Sequence, residues 1–242
     1  MDKATVKAIA PKGHLRAAIN LGNGVLAQKD SETGALGGVS VRLAETFANQ
    51  LGLPLELIEF PAAGKVVDAV SRDEWDLAFL AIDPLRSKSI LFTDPYVIIE
   101  GGYLVRAQSS MRFTGEVDKD GIRIAVNKNA AYDLYLSRTL QHAELVRAIA
   151  TPWTIDLFLA ENIDVLAGIK SGLVQLAKEK SEKVRVLGGT FMQINQAMAV
   201  PARAAAVKTL VDSFINEMSV SGFINEELVN SGQDPSVAAS PG

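Results

Sequence analysis

The 242-residue chain contains no cysteine. That removes disulfide frameworks and cysteine-type zinc sites from consideration, while leaving the cellular compartment open. Histidine is nearly absent too. His14 and His142 stand far apart with no acidic ligand motif between them, so neither a catalytic metal nor a cofactor is expected. No apolar run reaches the roughly 20 residues of a membrane span. The opening Met1-Asp2-Lys3-Ala4-Thr5 lacks a secretory-type apolar segment, which read literally means a cytoplasmic protein. The net charge of −4 is small and gives no reason to expect a nucleic-acid partner. No catalytic triad and no G-x-x-x-x-G-K phosphate loop occur, and Gly22-Asn23-Gly24 is too short for a dinucleotide site.

What is present is apolar sequence in a repeating rhythm. Hydrophobic residues make up 48% of the chain, enough for a full core. Leu15 to Ile19 has the pattern of a strand. Val39, Leu43, Phe47 and Leu51 recur on one helical face, with Gly52 as a natural stop. Leu53, Leu55 and Leu57 alternate as a strand that ends near Phe60-Pro61, and a short helix from Lys65 to Arg72 follows. Asp76 to Ile82 holds, from Leu77 on, a continuous apolar run of the kind buried inside a parallel sheet. Strand, helix, strand, helix, strand is the βαβ rhythm of an open α/β sheet.

That buried run stops at the Asp83-Pro84 turn, and Arg86 follows immediately. Open α/β sheets bind ligands just past the carboxyl ends of their strands. A guanidinium there is a fork for a carboxylate; the bland alternative is a surface arginine paired with Asp83 or Asp94. The rhythm restarts at Ile122 to Val126. It continues through a turn at Asn127-Lys128-Asn129-Ala130, a helix from Tyr132 to Leu140, a strand from Leu145 to Ala150 and a helix from Ile155 to Glu161 begun by Pro152-Trp153-Thr154. Ile163 to Lys170, Val184 to Leu187 and Phe191 to Val200 complete the strands. Helices fill Ala202 to Asn230, and the tail from Ser231 is Ser/Pro/Gly/Ala-rich and frayed.

Several short motifs, in order, resemble the bacterial extracellular solute-binding proteins of family 3, the binding components of ABC importers. They are Gly13-His14-Leu15-Arg16, Gly37 to Ala44, Trp75-Asp76-Leu77 and Phe92-Thr93-Asp94-Pro95-Tyr96, the last six residues beyond Arg86. The resemblance implies a two-lobed periplasmic-binding-protein type II fold. Each lobe is a mostly parallel sheet flanked by helices, and two crossover strands join them. The expected lobes are 1–103 with 198–242, and 104–197 inserted. It also implies an exported, periplasmic monomer, with Met1 an added start on a mature chain. That protein would hand its ligand to a membrane permease without inserting in the membrane itself.

The resemblance places Arg86 as the clamp on a ligand carboxylate, in a cleft that closes by hinge motion. Asn23 and Leu26 occupy the loop that carries a stacking aromatic in relatives. For Asn23 an ordinary turn with left-handed Asn and Gly is an equal reading. Phe60, Ile82, Asp83, Tyr96, Glu100 and Gln193 join the candidate list around the clamp. Asn129 and Ala130 replace the hydroxyl-bearing pair of relatives, keeping backbone donors for a carboxylate but losing the hydroxyl. Trp153 is either a lid over the ligand or packing. Where amino-acid binders have an Asp for the α-ammonium, five residues after Asp164, this chain has Ile169. Either the ligand has no α-ammonium, or Glu100 or Asp83 supplies the charge. Lys170, beside that gap, suits a second anionic group or is a solvated helix-start residue. Among readings outside transport, the family also includes cyclohexadienyl dehydratases, for which a buried Glu100 with a raised pKa would be the proton donor. The sensor domain of a receptor is a further alternative.

Overall fold

The computed structural model describes residues 3–149, 151–160 and 163–240. The positions expected to end the strand from Leu145 and the helix from Ile155, Ala150 and Glu161, lie outside the described residues. The chain forms two compact units, residues 1–98 with 195–242, and residues 99–194.

Unit 1 begins with a short helix α1 (Lys3–Ile9), which the sequence reading did not anticipate, and strand β1 (Leu15–Asn20). The hairpin β2 (Gln28–Lys29) and β3 (Leu36–Gly37) brackets the polar tip. Helix α2 (Val39–Leu51) buries the stripe of Val39, Leu43, Phe47 and Ala48, and Gly52 ends it in the left-handed conformation. Then come β4 (Leu55–Phe60), α3 (Ala63–Val70) and β5 (Leu77–Ala81). All five residues of β5 are buried. It lies between β1, to which it is parallel, and antiparallel β11 (Met192–Pro201), so both of its edges are paired. Its side chains are buried on both faces of the sheet, which is why it reads as an unbroken apolar run. β4 pairs in parallel with the other side of β1, Leu15 facing Leu55 and Asn20 facing Phe60. The core joins Ala18, Val66, Ala69, Trp75, Leu80 and Ile90 on one side of the sheet. Trp75 is fully buried and donates its indole N–H to Val66 O at 2.8 Å. Helices α7 (Lys208–Val220) and α8 (Phe223–Asn230) return to this unit, with the Phe214 ring tilted at 47° to that of Phe47, centroids 4.8 Å apart.

Unit 2 is entered along β6 (Ile90–Arg106), which is one continuous strand through Phe92–Tyr96. It is built from β7 (Arg123–Asn127), α4 (Ala131–Thr139), β8 (Glu144–Ala148), α5 (Thr151–Ala160), β9 (Val165–Ile169), α6 (Lys170–Glu179) and β10 (Val184–Val186). β8, β7 and β9 are parallel neighbours, and β9 pairs antiparallel with β6, which also pairs β10. Phe158, Ile163, Leu166, Leu173 and Val184 form its core.

Candidate functional site

Arg86 opens a 3-10 turn directly after β5. Asp83 builds that turn: its side chain accepts from Leu85 N–H at 2.8 Å, and its carbonyl accepts from Ser87 N–H at 2.9 Å and the Ser87 hydroxyl at 3.1 Å. This is the Asx geometry that an Asp-Pro pair favours. The chain therefore doubles back, and Arg86 lies buried against the end of the strand it has just left. Its Nη1 donates to Ala81 O at 2.9 Å. Its Nε is buried and lies outside the hydrogen bonds of the guanidinium. Burial pushes the Arg86 guanidinium down to about 10, and the Asp83 charge opposes that shift. Asp83 is itself buried, so it faces the arginine rather than solvent. Ile82 and Leu85 stay 39% and 50% exposed, an apolar rim beside a buried cation.

Other expected members of the unit 1 set belong to the scaffold. Tyr96 is fully buried; its hydroxyl and that of Ser40 share a 3.1 Å hydrogen bond, and its ring meets Phe79 edge-on. Burial raises its phenol above the ordinary value. It anchors β6 to α2 and offers a ligand no surface. Phe60 is likewise a core residue at the end of β4. Asn23 and Leu26 are both buried. Asn23 accepts from Val25 N–H through its side chain and from Leu26 and Ala27 N–H through its carbonyl. The turn is real, but neither Asn23 nor its flanking glycines are left-handed. Gly22 is required by close approach, because a Cβ there would lie 2.9 Å from Pro61 O.

In unit 2 the pairing of β6 with β9 sets Gly101 opposite Ile169 and Gly102 opposite Gly168. Glu100 and Lys170 thereby come together. Lys170 Nζ donates to Glu100 Oε2 at 2.7 Å and to the Thr190 hydroxyl at 3.0 Å. Gly102 leaves room for this, since a Cβ there would sit 3.1 Å from Lys170 Cγ. The Glu100 side chain is 49% exposed, and the hydrogen bond from Lys170 lowers its pKa. This overturns the expectation of a buried acid with a raised pKa, and with it the proton donor that the dehydratase reading needs. Lys170 starts α6 but is not merely solvated: it belongs to this cluster.

The turn after β7 also differs from expectation. Asn129 is left-handed (φ 61°), and its N–H donates to Asp133 Oδ2 at 2.8 Å. Ala130 N–H donates to Asn127 O at 3.1 Å, and Ala130 caps α4 without a side-chain bond. The two backbone donors expected for a ligand carboxylate are engaged internally. Asp133 is buried, with Arg147 Nε at 2.9 Å. An acid at the third position of a helix, reaching back to a donor ahead of it, was a signal present in the sequence and not used. Trp153 is 59% exposed near the start of α5, and Gln193 is exposed on β11. Among the described residues no cluster of three or more His, Asp or Glu is placed to hold a metal ion, and no helix is long and apolar enough to cross a membrane.

Comparison with solved structures identifies the architecture as a type II periplasmic binding protein. A solute receptor for L-cysteine from Neisseria gonorrhoeae superposes with a TM-score of 0.80 at 22% identity, covering 93% of this chain and 92% of its own. An amino-acid ABC transporter substrate-binding protein from Streptococcus pneumoniae, solved with L-arginine, gives 0.79 at 20% identity over 96% and 100%. A mutant of the T. maritima protein ArgBP gives 0.79 at 18% identity over 94% and 99%. At such identities the likeness establishes the fold. No curated protein sequence matches this one. The sequence profile of the bacterial extracellular solute-binding proteins, family 3, matches residues 26–228, and the chain belongs to that family.

Proposed function

We propose that this protein is the periplasmic solute-binding component of an ABC importer, acting as a monomer that delivers its ligand to a membrane permease. Its ligand carries a carboxylate, and Arg86 is the anchor. The observation that carries this reading is the buried guanidinium just past the carboxyl end of β5, tied down at Ala81 O. Its fork is pre-organised, so little side-chain entropy remains to be lost on binding. A desolvated cation with a lowered pKa gains more from an added anion than a solvated one does.

The ligand is an organic acid rather than an α-amino acid. An ammonium needs a carboxylate partner, and its burial without one costs several kcal/mol. Ile169 offers none. Glu100 is already paired with Lys170, and Asp83 faces Arg86. Structural neighbours described as a receptor for L-cysteine and an amino-acid substrate-binding protein support a small, carboxylate-bearing ligand. The test is a thermal-shift screen of protein unfolded and refolded to remove carried-over ligand, with monocarboxylates, dicarboxylates and α-amino acids in parallel. A ligand at 100 times its Kd adds about 2.7 kcal/mol of stability. Acids without an amino group are expected to raise the Tm, and Arg86→Ala to abolish the shift. Stabilisation by α-amino acids alone would reverse the ligand assignment.

A further inference from the structure

The Ser/Pro/Gly/Ala-rich composition beyond α8 predicts a frayed tail, but the chain from Gly232 to Ala239 is built into unit 1. Gly232, left-handed at φ 73°, ends α8 in a Schellman turn. Its N–H donates to Val229 O at 2.9 Å, and that of Gln233 to Leu228 O at 2.8 Å. A 3-10 turn, Pro235–Val237, follows, capped by Asp234, whose side chain accepts from Ser236 N–H at 2.9 Å. Asn225 of α8 donates its carboxamide N–H to Pro235 O at 3.2 Å. Ala238 then pairs antiparallel with Val97 of β6, and Ala239 N–H donates to Tyr96 O at 3.0 Å.

This pairing falls on a strand edge. β11 lies along one side of β6, and within unit 1 Ala238 and Ala239 take the other. β9 gives no cover there, since its pairing with β6 spans Gly101 to Val105, in unit 2. The Tyr96 and Val97 side chains are fully buried, so this stretch of β6 is held straight and ready to pair. An open edge of that kind is a template for another chain. The hold of the tail is light. No residue from Gly232 to Ser240 is buried, so little apolar area offsets the entropy of ordering the segment. A segment tied by a few exposed hydrogen bonds opens locally, before the sheet beneath it does.

We infer that Asp234 to Ala239 is a releasable strap. Closed, it occupies the edge of β6 inside unit 1 and keeps that edge from pairing with a second copy of the chain. Open, it exposes the edge while the unit stays folded. The strap works whether or not Arg86 holds a ligand, so it stands or falls apart from the binding role proposed above.

The test follows amide exchange and association in the wild type, in Ala239→Pro, in Ala239→Val and in a chain stopped after Gln233. Ala238 is already extended (φ −60°, ψ 134°), as a following proline requires, so Ala239→Pro removes the donor without recasting its neighbour. Ala239→Val keeps the N–H and suits an extended pair. In the wild type the Ala239 amide is expected to exchange at least about tenfold slower than in an unstructured peptide, and faster than the amides of β5. In Ala239→Pro and in the shortened chain, exchange around Tyr96 to Ile98 should rise at least about tenfold while β5 stays as in wild type. Light scattering of both should show association that grows with concentration. Ala239→Val should match the wild type in exchange and in mass. Ala239 exchanging like a free peptide, unchanged exchange around Tyr96, or a shortened chain that is monomeric at every concentration would overturn the strap. Ala239→Val behaving like Ala239→Pro would overturn it too, because the lost N–H would not be the cause. So would a rise in β5 exchange as large as that at Tyr96, or a shortened chain that fails to fold, since the segment would then belong to the global fold.

Discussion

The two units handle charge in opposite ways. In unit 1, ionic groups are buried and braced across distant parts of the chain. Arg16 on β1 donates through Nε and Nη2 to Asp76, at 2.9 and 2.7 Å, and both residues are buried. Arg203, beyond β11, donates to the same carboxylate at 2.8 Å. Asp76 thus ties the first strand, the start of β5 and the returning chain together. Hydrogen bonding to Asp76 raises the Arg16 pKa further. In unit 2 these pairs keep at least one partner in water: the Glu100 and Lys170 side chains are 49% and 31% exposed, and Arg147, beside the buried Asp133, is 39% exposed. Similar distances therefore carry different energies. A buried pair is costly to break because the survivor has no water, whereas an exposed survivor is simply solvated.

Asp76→Ala should break this contrast most strongly. It strands Arg16 in the interior, and a loss of about 3–5 kcal/mol is expected in denaturant unfolding. Asp133→Ala in unit 2 is the matched control. Its partner Arg147 is 39% exposed, so a smaller loss of about 1–3 kcal/mol is expected, mostly from the freed Asn129 N–H. If Asp133→Ala costs as much as Asp76→Ala, burial is not what separates the units.

Arg86→Ala tests whether unit 1 spends a buried cation on ligand. It should cost about 2–5 kcal/mol of affinity for the carboxylate identified in the screen, read by calorimetry. Unchanged affinity would make Arg86 a scaffold residue like Arg16.

Two glycines extend the comparison to the backbone. Gly38 has φ 101° and ψ 165°, a region open in practice to glycine only, and a Cβ there would lie 2.6 Å from Leu26 O. Gly101 would bring its Cβ to 2.8 Å from Met192 Cγ and 2.9 Å from the Phe191 ring, which are side chains. Gly38→Ala should cost about 1–3 kcal/mol or more, since backbone must move. Gly101→Ala should cost less, because Met192 can change rotamer. Equal Tm losses would contradict this.

Glu100→Gln should be the mildest change, within about 1 kcal/mol. Its pKa is depressed in the folded protein, so whatever the pair contributes is complete above the ordinary value of 4.5 and is lost as pH falls through the lowered one. A stability–pH profile of wild type and Glu100→Gln should therefore coincide near the acid end and separate only towards neutrality.

Much of the fold was legible because it depends on local pattern. The apolar run Leu77–Ala81, the helical stripe from Val39, and the turn that precedes Arg86 each encode their structure within about a dozen residues. The helix α6 was glimpsed only at its start, Lys170, and its extent escaped because its stripe is short, with Leu173 its one buried residue. The position of Arg86 just past β5 was legible, because a turn signal and a strand end adjoin in sequence. The site was misread at Tyr96 and Phe60, whose aromatic character is equally suited to a core and to a pocket. It was misread again at Glu100, where an acid in an apolar strand has two opposite meanings.

By itself, then, the order of residues dictated the alternation of strands and helices, the place of Arg86 after β5, and the missing carboxylate at Ile169, all matters of short-range pattern. Which charges answer which came from elsewhere. Glu100 meets Lys170 because β6 and β9 pair in one register, Asn129 loses its N–H to an acid one helical turn on, and Asp76 is shared by arginines 187 positions apart in numbering (203 − 16). Such meetings are set by packing, because the energy of a charge depends on the groups and the water around it once the chain has folded.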